Sequence, residues 1–198
     1  MTKRITIFGD SIAWGKADVE SGGWVNRLRH YVETAHVGTS VYNLGVSGDT
    51  TVELLKRFTP ECAARNNKTQ IIIFAVGIND SCFINTESNP LVSIDNFQSN
   101  LRQLAVEAKL FSSSIAFIGP TMVDEDKMPF NAKYYTNDSV EKYNEALENV
   151  CANIEVPFLN MLDVLSLRDL PDGLHPDSSG HEKMFHKIKD FLLVNGIV

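Results

Sequence analysis

Ser11, Gly48, Asn79, Asp172 and His175 are the residues of this chain that could together do chemistry. A serine hydroxyl is a poor nucleophile unless a base takes its proton as it attacks, and histidine is the side chain whose ordinary pKa suits that task near neutral pH. Asp172 stands three residues before His175 across a turn that contains Gly173, close enough for its carboxylate to accept from a ring nitrogen and fix the tautomer. Gly48 would let an acyl oxygen approach a main-chain N–H with no Cβ in the way, and the neutral Asn79 amide could donate to the same oxygen. A nucleophile, a base, its orienting acid and oxyanion donors are what acyl transfer from an ester or amide needs. Each residue also has a structural reading: Asp172 as an exposed turn residue, Gly48 as a tight turn, Asn79 as a helix cap.

The other acids and histidines leave two further readings open. Asp10 and Asp80 are expected to fix loops, yet with Asp49, His175 and His181 they could serve a metal-dependent phosphoesterase. The Asp-x-His and His-x-His pairs expected of closely held metal ligands are missing from the sequence. A doubly wound module that binds phosphate or flavin without chemistry is the other alternative. His30 and His36 fall on or just after a surface helix, and His181 and His186 fall on the last helix at positions expected to be solvated. His175 is therefore the base of choice, and no metal or cofactor is called for.

Positioning these residues requires a scaffold, and the apolar pattern supplies one. Short β-branched or aromatic runs over 5–8, 40–43, 71–76, 115–118 and 156–159 read as strands buried on both faces. Amphipathic segments alternate with them: Trp24, Leu28, Tyr31, Val32 and Ala35 share a helical face, as do Ile94, Phe97, Leu101, Leu104 and Ala108. Val140, Tyr143, Leu147, Val150 and Ile154 repeat the pattern, and Phe185, Ile188, Phe191 and Leu192 close the chain. Capping boxes are expected at Thr50 with Glu53, Asp138 with Glu141, and Ser179 with Glu182. Strict alternation of strand and helix means an α/β parallel, doubly wound sheet with helices on both faces. In such a sheet ligands bind beyond the carboxyl ends of the strands, where Ser11, Gly48 and Asn79 all fall.

With 198 residues, 43% of them hydrophobic, and no Pro/Gly/Ser-rich linker, one domain over 1–198 is expected. The apolar run over 5–8 is too short for a signal peptide or a membrane anchor, so a cytoplasmic protein is expected. Three cysteines, Cys62, Cys82 and Cys151, lack disulfide or zinc spacing and read as buried thiols. A net charge of −7 argues against nucleic-acid or anionic-membrane partners and suggests a small substrate that is not strongly anionic. Oligomeric state is not encoded in any visible motif.

Four segments carry a resemblance. Gly9-Asp10-Ser11-Ile12, the run from Asn43 through Gly48 to Thr50, Gly77-Ile78-Asn79-Asp80 and Asp172-Gly173-Leu174-His175-Pro176 stand in the order and spacing of the GDSL esterase/lipase family, the SGNH hydrolases, and the resemblance spans the chain. It implies a three-layer, flavodoxin-like α/β/α fold, for which the five apolar runs supply the strands; the expected activity is that of a serine esterase acting on small acyl esters. It also implies Ser11 as nucleophile, His175 as base, Asp172 as its partner, and an oxyanion hole from Ser11, Gly48 and Asn79. Two departures touch no catalytic role: Ile12 replaces the usual Leu, and Asn160 stands where many members have Asp. Ala13 in place of a second glycine argues against an α/β-hydrolase nucleophile elbow. Trp14 could wall the nucleophile. The long stretch over 121–137, with Met122, Met128, Phe130, Tyr134 and Tyr135, suits a flexible cover over an acyl pocket, so Trp14, Tyr134 and Tyr135 are the expected substrate-binding residues.

Overall fold

A computed structural model describes residues 3–66, 69–84 and 89–198. The chain runs β1 (Arg4–Gly9), α1 (Ser11–Trp14), α2 (Trp24–Ala35), β2 (Ser40–Gly45), α3 (Thr51–Ala64), β3 (Gln70–Ala75), β4 (Phe83–Ile84), α4 (Ile94–Lys109), β5 (Ser114–Ile118), β6 (Lys133–Tyr134), α5 (Asn137–Ile154), β7 (Phe158–Leu159) and α6 (Ser178–Val194), with 3-10 turns at Glu125–Lys127 and Leu167–Asp169. The five strands expected from apolar runs form one sheet in the order β2-β1-β3-β5-β7, every neighbouring pair parallel. Helices α2 and α6 cover one face with Trp24, Leu28, Val32, Ile188 and Leu192, and α3, α4 and α5 cover the other with Leu54, Phe58, Leu101, Leu104 and Leu147. This is the three-layer α/β/α arrangement of the flavodoxin-like type, with one core on each side of the sheet.

Strand composition explains the layering. Ile5, Ile7, Phe8, Ile71, Ile72, Ile73 and Phe74 are buried on both faces, as a parallel sheet between helices demands. On the α3–α5 side Phe74 stacks on Phe117 at 4.9 Å and Phe8 meets Phe58 edge-on at 5.0 Å, an aromatic seam along the middle of the sheet. The chain leaves β1 for β2 and then crosses back over β1 to β3, so the direction of winding reverses between β1 and β3. The carboxyl ends of those two strands therefore open a crevice at their shared edge.

Two expectations about local structure need correction. The box at Thr50 and Glu53 caps α3 as expected, but α5 starts on Thr136, whose hydroxyl accepts from the Ser139 N–H. Likewise α6 starts on Asp177, which accepts from the Gly180 N–H at 2.9 Å. In both cases an earlier residue with a suitable oxygen takes the cap. The stretch over 121–137 has structure of its own. β6 pairs antiparallel with β4, and Asn137 closes the base by accepting from the Val123 N–H at 3.0 Å and donating to the Val123 carbonyl at 3.1 Å.

Gly45, at the end of β2, makes the closest approach between the sheet and the turn that carries Ser11. A Cβ there would meet the Trp14 nitrogen, the Asp10 carbonyl at 2.7 Å and Trp14 Cα at 2.8 Å, all of them backbone. Gly45→Ala is expected to lower stability by about 1–3 kcal/mol through overpacking, measured as a reduced urea midpoint at constant m-value. An unchanged midpoint would mean that the turn moves freely.

Candidate active site

The turn that carries Ser11 is short and tightly specified. Asp10 leaves β1 in extended backbone and accepts from the Ile12 N–H at 2.8 Å, so that Ser11 becomes the first residue of α1. Gly15, in the left-handed region at φ 101°, ends the helix after one turn. Ser11 is nearly buried, and its hydroxyl meets His175 Nε2 at 2.9 Å. His175 Nδ1 lies 2.7 Å from Asp172 Oδ2. A carboxylate only accepts, so Nδ1 carries the ring proton and Nε2 is left to accept from the serine.

Asp172 is held in turn by the N–H groups of His175 and Leu174, both donating to its Oδ1, at 2.7 and 3.0 Å. Partial burial pushes this carboxyl up, but these donors outweigh it and keep it below its ordinary value. Burial is also the main influence on His175 and pulls its pKa below 6.5, with Asp172 acting in the opposite sense and the Lys16 charge reinforcing the fall. The ring is therefore neutral at neutral pH, and its free nitrogen faces the serine.

Gly48 and Asn79 stand beside this pair. Gly48 has φ 87°, which L side chains rarely adopt, and a Cβ built on it would point into open space. Asn79 follows β3, across the crevice from Ser11. Its amide donates to the Asp49 carbonyl at 3.1 Å, and its oxygen accepts from the Tyr135 hydroxyl at 3.1 Å. That leaves one amide hydrogen unused among the described residues, as are the N–H groups of Ser11 and Gly48. Asp10 and Asp80 act behind the wall: Asp80 accepts from the Thr51 N–H at 3.0 Å and the Thr51 hydroxyl at 2.5 Å, fixing the start of α3. Burial, chiefly, raises Asp10 to about 7 and Asp80 to about 6.

Ser11, Gly48, Asn79 and His175 line one cleft of about 190 Å³ together with Lys16, Ser47, Phe130, Asn131, Lys133, Tyr135 and Leu174. Of the three residues expected to bind substrate, only Tyr135 is in this lining. Trp14 is 57% exposed: Ser11, Ile12 and Ala13 turn inward, so the fourth residue of the turn takes the outer face. Tyr134 is on the opposite side of β6 from Lys133 and Tyr135, as strand alternation requires. The aromatic wall is Phe130, whose ring meets the His175 ring edge-on at 5.1 Å. His181 is not solvated but fully buried, accepting from the Trp24 N–H at 3.3 Å and donating to the Lys16 carbonyl at 3.1 Å. Among the described residues no three His, Cys, Asp or Glu side chains converge to hold a metal ion. Cys62, Cys82 and Cys151 are buried free thiols.

Residues 7–183 match the model of the GDSL-like lipase/acylhydrolase family. The chain is 25% identical to the isoamyl acetate-hydrolyzing esterase of Saccharomyces cerevisiae, over 93% of this chain and 83% of that one. Its fold resembles a lipase/acylhydrolase from Enterococcus faecalis, with a TM-score of 0.78 at 24% identity over 97% of this chain and 95% of the other. It also resembles an acetylxylan esterase from Geobacillus stearothermophilus, with a TM-score of 0.75 at 19% identity over 96% and 93% of the two chains.

An NMR titration of the imidazole resonances should place His175 below 6.5. In Asp172→Asn the value should fall further, because the carboxylate that favours the protonated ring is gone. A rise in that variant would mean that Asp172 does not act on the ring.

Proposed function

Because the chain belongs to the GDSL-like lipase/acylhydrolase family, whose members are esterases and acylhydrolases, we propose that it is a serine esterase that cleaves small acyl esters through a covalent acyl-enzyme on Ser11. The observation that carries the reading is the run of contacts from the Ser11 hydroxyl to His175 to Asp172, at 2.9 and 2.7 Å, beside donors with nothing to donate to. As Ser11 Oγ attacks the ester carbonyl, His175 Nε2 takes its proton and Asp172 stabilises the imidazolium. The carbonyl oxygen becomes an oxyanion and receives hydrogen bonds from the Ser11 and Gly48 N–H groups and the spare Asn79 amide hydrogen. The bond to the alcohol oxygen then breaks, with His175 returning the proton to the leaving group. Water repeats the sequence on the acyl-enzyme, freeing the acid and restoring Ser11.

Donors must be placed before charge develops if they are to lower the barrier. Tyr135 serves this end: burial raises its hydroxyl far above the ordinary value, so it remains a donor and fixes the orientation of the Asn79 amide through its oxygen at 3.1 Å. A cleft of about 190 Å³ has room for a short acyl group such as acetyl or butyryl, and a long chain would have to leave it. Among the described residues no helix is long and apolar enough to cross a membrane. The buried free thiols suit work in the reducing cytoplasm.

A fluorophosphonate probe tests the reading directly. The adduct should form stoichiometrically on Ser11, as mapped by mass spectrometry, and be absent in Ser11→Ala; an unlabelled wild type would point to a module that binds without chemistry. Ser11→Ala and His175→Ala should each remove most turnover of p-nitrophenyl acetate, with the double variant scarcely worse, since residues acting as a unit are not additive.

Kinetics test the oxyanion donors. Asn79→Ala should reduce kcat by about 10²–10³ with little change in KM, because its hydrogen bond strengthens only as the oxyanion forms. Tyr135→Phe should lower kcat in the same direction by less. A raised KM at constant kcat would make Asn79 a ground-state binding residue instead.

A further inference from the structure

The cleft is positively charged in a negatively charged protein. Its lining holds Lys16 and Lys133 and no aspartate or glutamate, although the chain carries a net charge of −7. Both lysines are half-buried. Among the described residues neither ammonium makes an ion pair or donates a hydrogen bond, whereas Lys127, Lys183 and Lys187 each find a carboxylate.

The carboxylates behind the cleft do not neutralise them. Asp172 is taken up by His175 and two N–H groups, and Asp49 pairs with Arg57 Nε at 2.6 Å. Asp10 and Asp80 are bonded to the Ile12 N–H and to Thr51, and burial raises Asp10 to about 7, so that it is only partly ionised near neutrality.

Both lysines are placed by backbone structure. The Lys16 N–H donates to the Ser11 carbonyl at 3.0 Å, His181 holds the Lys16 carbonyl, and Lys16 Nζ lies 5.1 Å from the centre of the Phe130 ring that abuts His175. Lys133 exchanges backbone hydrogen bonds with Phe130 at 2.9 and 3.0 Å around a two-residue turn, Asn131 and Ala132, with φ 48° and 62°. That is the backbone of a tight hairpin turn, so Phe130 and Lys133 arrive at the cleft together.

From this placement we propose that the esterase selects esters carrying an anionic group, a carboxylate or phosphate near the scissile bond, and that Lys16 and Lys133 are the residues that select them. The proposal rests on the reading of Ser11 as the site of acyl transfer. An ammonium left unpaired and partly desolvated gains more from a substrate anion than a solvated one does, so the pair contributes chiefly to discrimination. On this proposal the local charge outweighs the net charge, from which a substrate that is not strongly anionic is expected. The anion could sit on the alcohol or on the acyl side, and the substrates below separate the two.

The experiment compares phenyl acetate, para-acetoxybenzoate (anion on the alcohol) and monophenyl glutarate (anion on the acyl group) by pH-stat, in the wild type, Lys16→Gln, Lys133→Gln, the double variant and the matching Lys→Arg changes. For at least one anionic ester, kcat/KM relative to phenyl acetate should fall roughly tenfold per lysine removed, mainly through KM, and be largely retained with arginine. The acid limb of the Lys16→Gln profile should move to higher pH, because a charge that disfavours protonated His175 is gone. If wild type cleaves phenyl acetate but the ratio is unchanged in the double variant for both anionic esters, the selectivity proposal falls alone. If wild type fails to cleave phenyl acetate and Ser11 resists the fluorophosphonate, the esterase reading falls and takes this one with it.

Discussion

Holding a histidine nitrogen 2.9 Å from a serine hydroxyl, with 164 positions of sequence between them, is a task that no local preference can perform. The entropy of closing so long a loop must be offset by the packing of everything it encloses, so the contact depends on the sheet and both helical layers. Ser11 is fixed from below by β1, by the Asp10 cap and by the close approach of Gly45. His175 is fixed by the Asp172 turn, which is itself tied to the neighbouring segment: the Asp124 N–H donates to the Gly173 carbonyl at 2.8 Å, and Lys127 Nζ donates to the Leu170 carbonyl at 2.8 Å. The segment over 121–137 thus connects the His175 turn to the hairpin that walls the cleft.

Electrostatics behind the cleft set a tension with the chemistry in it. Asp10 and Asp80 have folded pKa values raised to about 7 and about 6 from an ordinary 3.8, with burial the largest cause. Their neutral forms favour the fold, so their contribution is complete at acid pH and is given up as pH rises through the folded values. Asp172 runs the other way: its lowered pKa stabilises the fold above its ordinary value and is lost on acidification. His175 is neutral, with Nε2 free to accept, only at pH above its own lowered value. The turn that presents Ser11 is therefore held best on the acid side of the range in which His175 is neutral.

How much of this was readable in sequence follows the range of the interactions. Five parallel strands, and the placement of Ser11, Gly48 and Asn79 at one sheet edge, follow from periodicity and from where each motif falls relative to its strand. Asp172 and His175 are close in sequence, so their contact was legible too. What escaped was made by pairings that leave no periodic trace. β4 and β6 are two residues each, about fifty positions apart, too short to show alternation, yet their pairing decides that Tyr135 and Lys133 face the cleft and Tyr134 does not. His181 looked solvated because its partners, the Trp24 N–H and the Lys16 carbonyl, are more than 150 positions away. Trp14 looked like a wall because nothing in its own segment shows that Ile12 and Ala13 claim the inner face first.

The hairpin tip shows how the fold spends stability on the cleft. Asn131 and Ala132 both take the left-handed backbone region, where asparagine is tolerated and alanine is strained by about 1–2 kcal/mol. Such strain persists only where surrounding contacts over-determine the conformation, and here they do: β4 pairs with β6, Phe130 and Lys133 exchange backbone hydrogen bonds, and the Phe130 ring is seated between Lys16 and His175. A relaxed turn would let Phe130 and Lys133 move apart. The strained one delivers an aromatic edge to His175 and a cation to the cleft from a single rigid corner, while α1 and the residue after its cap deliver Ser11 and the second cation from the opposite side.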